Sequence, residues 1–298
     1  MRWFYHLVRR PELVWNEEDR YAPPSLTTEG FVHASYLDAV ESSARLHFPG
    51  DAPDSLVVLA VDPRRIDARV DEAETPRGPM PHVHGSIPRD AVRVLDWAGL
   101  AGAPDRVTGT RCGFVAFSGL TLLDLVGPLD ALSRIASMGF DGTTTTEVFA
   151  LDSSNPTWSG SGASFRVERF RPPLTEFDLL VIPGGFGTRP LVDDHEALAY
   201  LRTYPENRLL ASVCTGALVV GALGRLQGKP ATTHASALDE LARHGASPRR
   251  ERVVSAGQVM TAGGVTSGIE LGLELVRRLT DDDTARAIAR QMEVRGPL

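Results

Sequence analysis

The chain has 298 residues, which is enough for two domains, since one domain usually has about 100–200 residues. Its composition, 42% hydrophobic and 23% charged, is that of a globular protein, and no stretch approaches the roughly 18 uncharged apolar residues of a membrane span. The net charge of -7 excludes a strongly basic nucleic-acid-binding protein and favours small-molecule chemistry. The first residues lack the apolar core of a secretory signal, so we expect a cytoplasmic protein.

The first part of the chain, residues 1–98, is predicted to be a small α+β domain. Its predicted elements are, in chain order, a strand at 2–8, a helix at 37–47, a strand at 55–61 and a strand near 92–97. Residues 99–110 combine Gly, Pro and Thr with little apolar content, which predicts a linker.

Three segments of this first domain, YHLV, EGFVHAS and MPHVHG, carry polar side chains that we expect in one cleft. These side chains are His6, His33, Ser35, His82 and His84. A single histidine is usually structural, but five polar groups from three segments favour a site. A structural or partner-binding role is the alternative.

The second part, residues 111–298, alternates strands with helices. The strand candidates are GFVAFS, EVFAL, DLLVIPGG, RLLASV, ERVVS and VMTAGG; the helix candidates follow LLDLVGP, run through HEALAYL and TGALVVGAL, and end in a pair from Ser267 onward. Regular alternation with uninterrupted apolar strands predicts a mostly parallel sheet with helices on both faces.

Cys214 lies where the strand RLLASV meets a helix opened by Thr215 and Gly216. A helix start presents free N–H groups and partial positive charge, so we expect an exposed thiol with a lowered pKa at the edge of the sheet. The alternative is a buried structural cysteine. The other cysteine, Cys112, is predicted to lie in the core, and two cysteines allow neither a disulfide framework nor the usual zinc site.

Two further segments end near the same edge. In DLLVIPGGFG the backbone of Gly184 and Gly185, with the Thr215 amide and Gly216, could form an oxyanion-type pocket, or the segment is a plain turn. In LTLLDLVGPLDAL, Asp124 interrupts an apolar run, and burial would raise the pKa of its carboxyl toward neutrality. A helix N-cap is the alternative for Asp124.

These segments, with GKPATTH and VMTAGGVTSGIELGLELV, resemble the ThiJ/PfpI superfamily (glutamine-amidotransferase-like) and, within it, the isonitrile hydratase branch, over residues 111–294. The resemblance implies a flavodoxin-like α/β sandwich with a nucleophile elbow, no metal or organic cofactor, and a homodimer acting on a small molecule. It assigns catalysis to Cys214, Asp124 and Thr215, with Gly184, Gly185 and Gly216 binding substrate or charge.

The same resemblance ranks the possible activities. Protease-like members have His after the nucleophile, where this chain has Thr215, and glyoxalase-like or deglycase-like members have Glu in place of Asp124. Related regulators continue into a helix-turn-helix region, which we do not expect here. In the hydratases an aromatic residue follows the Ala-Thr-Thr-His segment, whereas here Ala235 follows His234, and His234 is expected to be structural.

The expected reaction is therefore hydration of an isonitrile to an N-substituted formamide through a thioimidate on Cys214, with Asp124 moving protons. A glyoxalase-like or deglycase-like enzyme, or a redox or ligand sensor using the same cysteine, is the alternative. Residues 1–97 resemble a bacterial domain family of unknown function with an ADP-ribosyltransferase-like fold. That resemblance implies a nucleotide-shaped pocket and assigns no reaction.

Overall fold

The computed structural model describes residues 1–152, 155 and 157–295. The chain divides into two compact units, unit 1 over Met1–Val107 and unit 2 over Thr108–Leu298. No helix in the described part of the chain is both long and apolar enough to cross a membrane.

Unit 1 is an α+β domain of short antiparallel sheets. Its elements are β1 (Phe4–Arg9), β2 (Arg20–Tyr21), α1 (Pro24–Thr28), β3 (Val32–His33), α2 (Val40–His47), β4 (Leu56–Val61), β5 (Val70–Thr75), β6 (Gly78–Val83), β7 (Ile87–Pro88) and β8 (Val92–Leu95). One sheet has the order β1-β4-β8 and another the order β3-β6-β5, while β2 pairs with β7. The predicted strands and the predicted helix at 37–47 all have counterparts among these elements.

Most of the predicted linker 99–110 is part of unit 1, which extends to Val107. Residues Ala98–Gly102 form a 3-10 helix, the Trp3 N–H donates to the Asp105 C=O (3.0 Å), and the Val107 N–H donates to the Met1 C=O (3.0 Å). The segment has few apolar side chains, yet Val107 is buried and the backbone supplies hydrogen-bond partners to the N-terminal residues, a role that composition does not reveal.

Unit 2 is an α/β sandwich. Its elements are β9 (Arg111–Ala116), α3 (Leu122–Ser137), β10 (Thr145–Ala150), β11 (Thr157–Trp158), β12 (Ser164–Phe165), β13 (Arg169–Phe170), β14 (Leu179–Ile182), α4 (Thr188–Leu191), α5 (His195–Leu201), β15 (Leu209–Val213), α6 (Gly216–Ala222), β16 (Pro230–Ala231), α7 (Leu238–Arg243), β17 (Ser247–Pro248), β18 (Val253–Ala256), β19 (Val259–Ala262), α8 (Ser267–Leu279) and α9 (Asp282–Gln291).

The main sheet of unit 2 has seven strands in the order β13-β10-β9-β14-β15-β19-β18. All neighbouring strands are parallel except β18, which runs antiparallel to β19. The central strands β14 and β15 are buried throughout, as expected for a sheet covered by helices on both faces. The carboxyl ends of β9, β14 and β15 therefore meet at one edge, where open α/β sheets bind ligands.

Helix α3 begins earlier than predicted. The sequence analysis placed the helix after Gly127-Pro128, whereas α3 runs over Leu122–Ser137 with Pro128 inside it. Pro128 lies four residues after Asp124, so its missing N–H removes only the hydrogen bond that the Asp124 C=O would accept. Asp124 consequently lies in the first turn of α3, and the N-cap position is held by Thr121 rather than by Asp124.

Candidate functional site

The backbone at Cys214 makes the sharp strand-to-helix turn that the sequence predicted. Cys214 follows β15 directly and has a φ of 55°, a left-handed conformation that costs energy for a residue with a side chain. Two hydrogen bonds hold it: the Cys214 N–H donates to the Ala262 C=O (2.9 Å), and the Thr233 hydroxyl donates to the Cys214 C=O (2.8 Å). Strain of this kind persists where neighbours fix the backbone, and it is common at reactive residues.

Asp124 lies beside this turn and is completely buried. One carboxyl oxygen, Oδ2, accepts the Gly184 N–H (3.1 Å), while Oδ1 has no hydrogen-bond partner among the described residues. Burial raises the pKa of the Asp124 carboxyl to about 7, against the opposing effect of hydrogen bonds from the Gly184 N–H and the Cys214 thiol. The carboxyl therefore changes protonation state near neutral pH, as the sequence analysis expected.

The thiol of Cys214 differs from its prediction. Only 6% of Cys214 is exposed, and burial, followed by the charge of Asp124, raises the pKa of its thiol to about 11, although the Thr215 N–H and hydroxyl partly oppose this. The prediction of an exposed cysteine with a lowered pKa is therefore wrong for this state of the protein. Burial and the neighbouring Asp124 carboxyl raise the thiol pKa by more than the dipole of α6 lowers it, because α6 has only seven residues.

The expected oxyanion pocket is not formed by the Gly184 and Gly185 amides, since both already donate hydrogen bonds within the protein. The Gly184 N–H donates to Asp124, and the Gly185 N–H donates to the Thr215 hydroxyl oxygen (2.9 Å). The same Thr215 hydroxyl donates to the Gly185 C=O (3.1 Å). Thr215 therefore ties two loops together, and its single hydroxyl proton is shared between the Gly185 C=O and the Cys214 sulfur.

Glycine is required at two of the predicted positions by close backbone approach. A Cβ added at Gly184 would lie 2.6 Å from the Thr215 nitrogen and 2.8 Å from both Asp124 Oδ2 and the Cys214 Cβ. A Cβ added at Gly216 would lie 2.3 Å from the Ile182 C=O oxygen. Because Gly184 has no side chain, Asp124, Cys214 and Thr215 can all pack closely against its backbone.

We expect Gly184→Ala to lower the activity of this site by about 100-fold or more while the protein still folds, because a shift of about 1 Å between catalytic groups has effects of that size. The matched control is Gly142→Ala, at a glycine before β10 that has an unstrained φ and no atom within 4 Å of an added Cβ. Circular dichroism melting and turnover should be measured for both variants. Equal activity of the Gly184 and Gly142 variants would contradict the close-packed arrangement.

Sequence reasoning missed the role of Thr233, which holds the backbone of the elbow. Its only signal was the Ala-Thr-Thr-His segment, in which nothing marked the hydroxyl as a partner for Cys214. His234 Nδ1 accepts the Ser236 N–H (3.3 Å) at the start of a short 3-10 helix, and the structural role that the resemblance implies for His234 stays a prediction.

In unit 1, four of the five predicted polar side chains line a single cavity of about 450 Å³: His6, His33, Ser35 and His82. His84 does not line it, and its Nε2 lies 3.1 Å from Asp71 Oδ2 instead. The prediction for His84 is therefore wrong, because the side chain points to a carboxylate partner that no sequence pattern disclosed.

His6 lines the cavity but is a structural residue. Its Nδ1 lies 2.6 Å from the His33 C=O oxygen, and its Nε2 lies 3.0 Å from the Tyr21 hydroxyl, so both ring nitrogens are engaged. Burial lowers the pKa of His6 to about 4, so the ring is neutral at physiological pH. Six further residues with polar side chains, which the sequence analysis missed, also line the cavity: Tyr5, Ser25, Ser43, His47, Thr75 and Arg77.

Comparison with known proteins gives two family matches. Residues 110–278 match the DJ-1/PfpI family, and residues 8–95 match DUF952, a family of unknown function. The chain is 36% identical over 184 residues to an isonitrile hydratase of Pseudomonas putida, which covers 61% of this chain and 78% of that protein. It is also 26% identical over 167 residues to protein DJ-1 homolog A of Arabidopsis thaliana, covering 54% of this chain and 42% of that protein.

Solved structures show the same fold for unit 2. A ThiJ/PfpI family protein from Pseudomonas syringae is 30% identical, with a TM-score of 0.56, and the match covers 64% of this chain and 78% of that one. DJ-1beta of Drosophila melanogaster is 18% identical, with a TM-score of 0.57, and the match covers 63% of this chain and 100% of that one. At 18% identity, the likeness to DJ-1beta shows a shared fold alone.

Proposed function

The chain belongs to the DJ-1/PfpI family, and on that premise we propose that unit 2 hydrates an isonitrile to an N-substituted formamide. The observation that carries this proposal is the buried pair of Asp124 and Cys214, in which a carboxyl of pKa about 7 faces a thiol of pKa about 11. The 36% identity to an isonitrile hydratase supports the choice of substrate.

The pair holds one mobile proton between these two pKa values. Below pH 7 both groups are protonated, and between about 7 and 11 the pair carries a single proton that resides mainly on sulfur. An isonitrile carbon needs both a nucleophile and a proton. A pair with one proton between a sulfur and a carboxylate supplies both without any external acid or base.

In the first step the Cys214 sulfur bonds to the terminal carbon of R–N≡C. The thiol proton passes to Asp124 and from Asp124 to the same carbon, so the S–H bond breaks as the C–S and C–H bonds form. The product is the thioimidate R–N=CH–S–Cys214. Oδ2 of Asp124 already accepts the Gly184 N–H, whereas Oδ1 has no partner among the described residues and is the oxygen suited to deliver the proton to the isonitrile carbon.

In the second step water adds to the thioimidate carbon. One proton of the water goes to the nitrogen, the C–S bond breaks as the C=O bond forms, and the remaining proton returns to the sulfur through Asp124. The products are R–NH–CHO and the original thiol. We assign the positioning of this water to Asp124 and give Thr215 a supporting role, since its hydroxyl already contacts the Gly185 C=O and the Cys214 sulfur.

The alternative of a redox sensor is less well supported. Oxidation of a cysteine follows its thiolate fraction and its exposure, and here the thiol is buried with a raised pKa. Glyoxalase-like or deglycase-like turnover remains the competing enzymatic activity, and a 2-oxoaldehyde serves as its test substrate.

The test uses the full chain with cyclohexyl isonitrile in large excess, and formamide is followed by NMR. We expect many formamide molecules per protein chain and no comparable conversion of methylglyoxal. Formation of no formamide, or of a single equivalent that leaves Cys214 modified, would contradict the hydratase.

The expected homodimer and the expected cytoplasmic location stay predictions. Analytical ultracentrifugation of the full chain checks the homodimer.

A further inference from the structure

The cavity of unit 1 has an unusual balance of charge. Its ionisable lining consists of one arginine, four histidines and Tyr5, and no aspartate or glutamate of this fully described unit lines it. Glu29 pairs with His33 (2.8 Å) but does not line the cavity. A cavity with this lining has an excess of hydrogen-bond donors and positive charge.

Arg77 is the fixed charge of the cavity. Its guanidinium Nη1 donates to the Ser43 hydroxyl (2.6 Å), and no carboxylate in the described part of the chain forms an ion pair with it. The Arg77 N–H donates to the Thr75 hydroxyl (3.2 Å), which in turn donates to the Gly78 C=O (2.7 Å), so the tight turn between β5 and β6 presents the arginine. A guanidinium held by a single hydroxyl instead of a carboxylate keeps donors free for an anion.

Two serines extend this donor set into the wall of the cavity. Ser35 and Ser43 are both nearly fully buried, and their hydroxyls lie 2.7 Å apart. Ser43 links Arg77 to Ser35, so the hydroxyl protons are ordered around the guanidinium. A buried chain of hydroxyls that ends at a cation is suited to the oxygens of a tetrahedral oxyanion.

Two histidines of the same cavity, His47 and His82, have lowered pKa values, with burial as the largest cause and neighbouring positive charge as a smaller one. Burial lowers the pKa of His47, and the positive charges of Arg77 and His33 lower it further, although Glu29 acts in the opposite direction. Burial also lowers the pKa of His82, with His33 and His84 adding to the effect against Glu29 and Asp71. An anion inside the cavity would relieve this repulsion. In the described residues no three His, Cys, Asp or Glu side chains converge as metal ligands would.

We propose that the cavity of unit 1 binds a small organic phosphate monoester, with its phosphate on Arg77 and the Ser43 hydroxyl. The organic part lies against the apolar wall formed by Leu7, Phe48 and Met80. A cavity of about 450 Å³ fits one small metabolite, in the usual range for such ligands. Phosphate monoesters are dianionic near neutral pH, which matches the basic lining.

Isothermal titration calorimetry of the full chain tests the proposal with AMP, glucose 6-phosphate, inorganic phosphate and, as a neutral analogue, adenosine. We expect at least one of the two phosphate esters to bind at least 10-fold more tightly than both inorganic phosphate and adenosine. We expect Arg77→Gln to weaken that binding by about 10-fold or more. The matched control is Arg45→Gln, which removes the same charge from an exposed arginine of α2 that does not line this cavity.

Three results would overturn the proposal: neither ester binds, adenosine binds as tightly as AMP, or the Arg77 and Arg45 variants bind the ester equally. Binding of inorganic phosphate as tightly as the esters would also overturn it, because the apolar wall would then have no role. A melting curve of each variant shows whether it is folded, and Arg77→Lys keeps the charge if Arg77→Gln does not fold. These measurements are independent of isonitrile turnover by unit 2.

Discussion

Cys214→Ser should lower isonitrile turnover by about 1000-fold or more while the melting temperature stays within a few degrees of the original. Serine keeps the shape of the side chain and a proton directed to Asp124, but its hydroxyl is a far weaker nucleophile than sulfur. The backbone of the turn is held independently by Ala262 and Thr233, so the left-handed φ at this position does not depend on the sulfur.

Cys112→Ala is the control for this variant. Cys112 is buried in β9, so its loss should cost about 1 kcal/mol of stability, the lower end for buried truncations, and leave turnover nearly unchanged. Turnover by Cys214→Ser close to that of the original protein would contradict the nucleophile and the mechanism together. A collapse of stability in Cys214→Ser with activity lost only in proportion would instead make the cysteine structural.

Asp124→Asn should lower turnover by about 100-fold or more, the range for loss of a general acid or base. The pH profile supplies a sharper readout. Because the active pair carries one proton, kcat/KM of the original protein should rise as pH rises through about 7 and level off above it. Asp124→Asn should lose this rise, and Asp124→Glu should keep it with a lower plateau because its carboxyl is displaced by about 1 Å.

The same substitution should stabilise the fold at alkaline pH. A carboxyl whose pKa is raised to about 7 takes up protons on folding between its ordinary pKa of about 4 and 7, so stability falls as pH rises across that window. The buried charge costs about 1.4 kcal/mol for each unit of the pKa shift. Asp124→Asn lacks this cost, and its melting temperature should exceed that of the original protein at pH 8 and converge with it near pH 4.

Asp130→Asn provides the matched control for both readouts. Asp130 is exposed on the same helix α3 and pairs with Arg134 on the surface, where an ion pair contributes little. It should change neither turnover nor the pH dependence of melting. Near-normal turnover by Asp124→Asn, or an unchanged difference in melting between pH 4 and pH 8, would remove the proton-carrying role of Asp124.

Much of the fold could be predicted because it depends on local pattern. Uninterrupted apolar strands alternating with helices indicated the parallel sheet of unit 2, and the step from β15 to α6 indicated the turn at Cys214. The start of α3 was misplaced because Gly127-Pro128 looks like a helix boundary. A proline can lie inside a helix when only one acceptor, here the Asp124 C=O, loses its donor.

The residues that reach the edge of the sheet could be inferred from local pattern, because Asp124, Gly184 and Cys214 each stand next to an apolar segment that ends there. Their chemical state could not, since the partners that set it come from distant parts of the chain. The Gly184 amide that holds Asp124 is 60 residues away, and the Thr233 hydroxyl that fixes Cys214 is 19 residues away. The same holds in unit 1, where Arg77 joins the cavity and His84 leaves it for Asp71. Burial and hydrogen-bond partners set protonation, and both are properties of the packed chain rather than of any single segment.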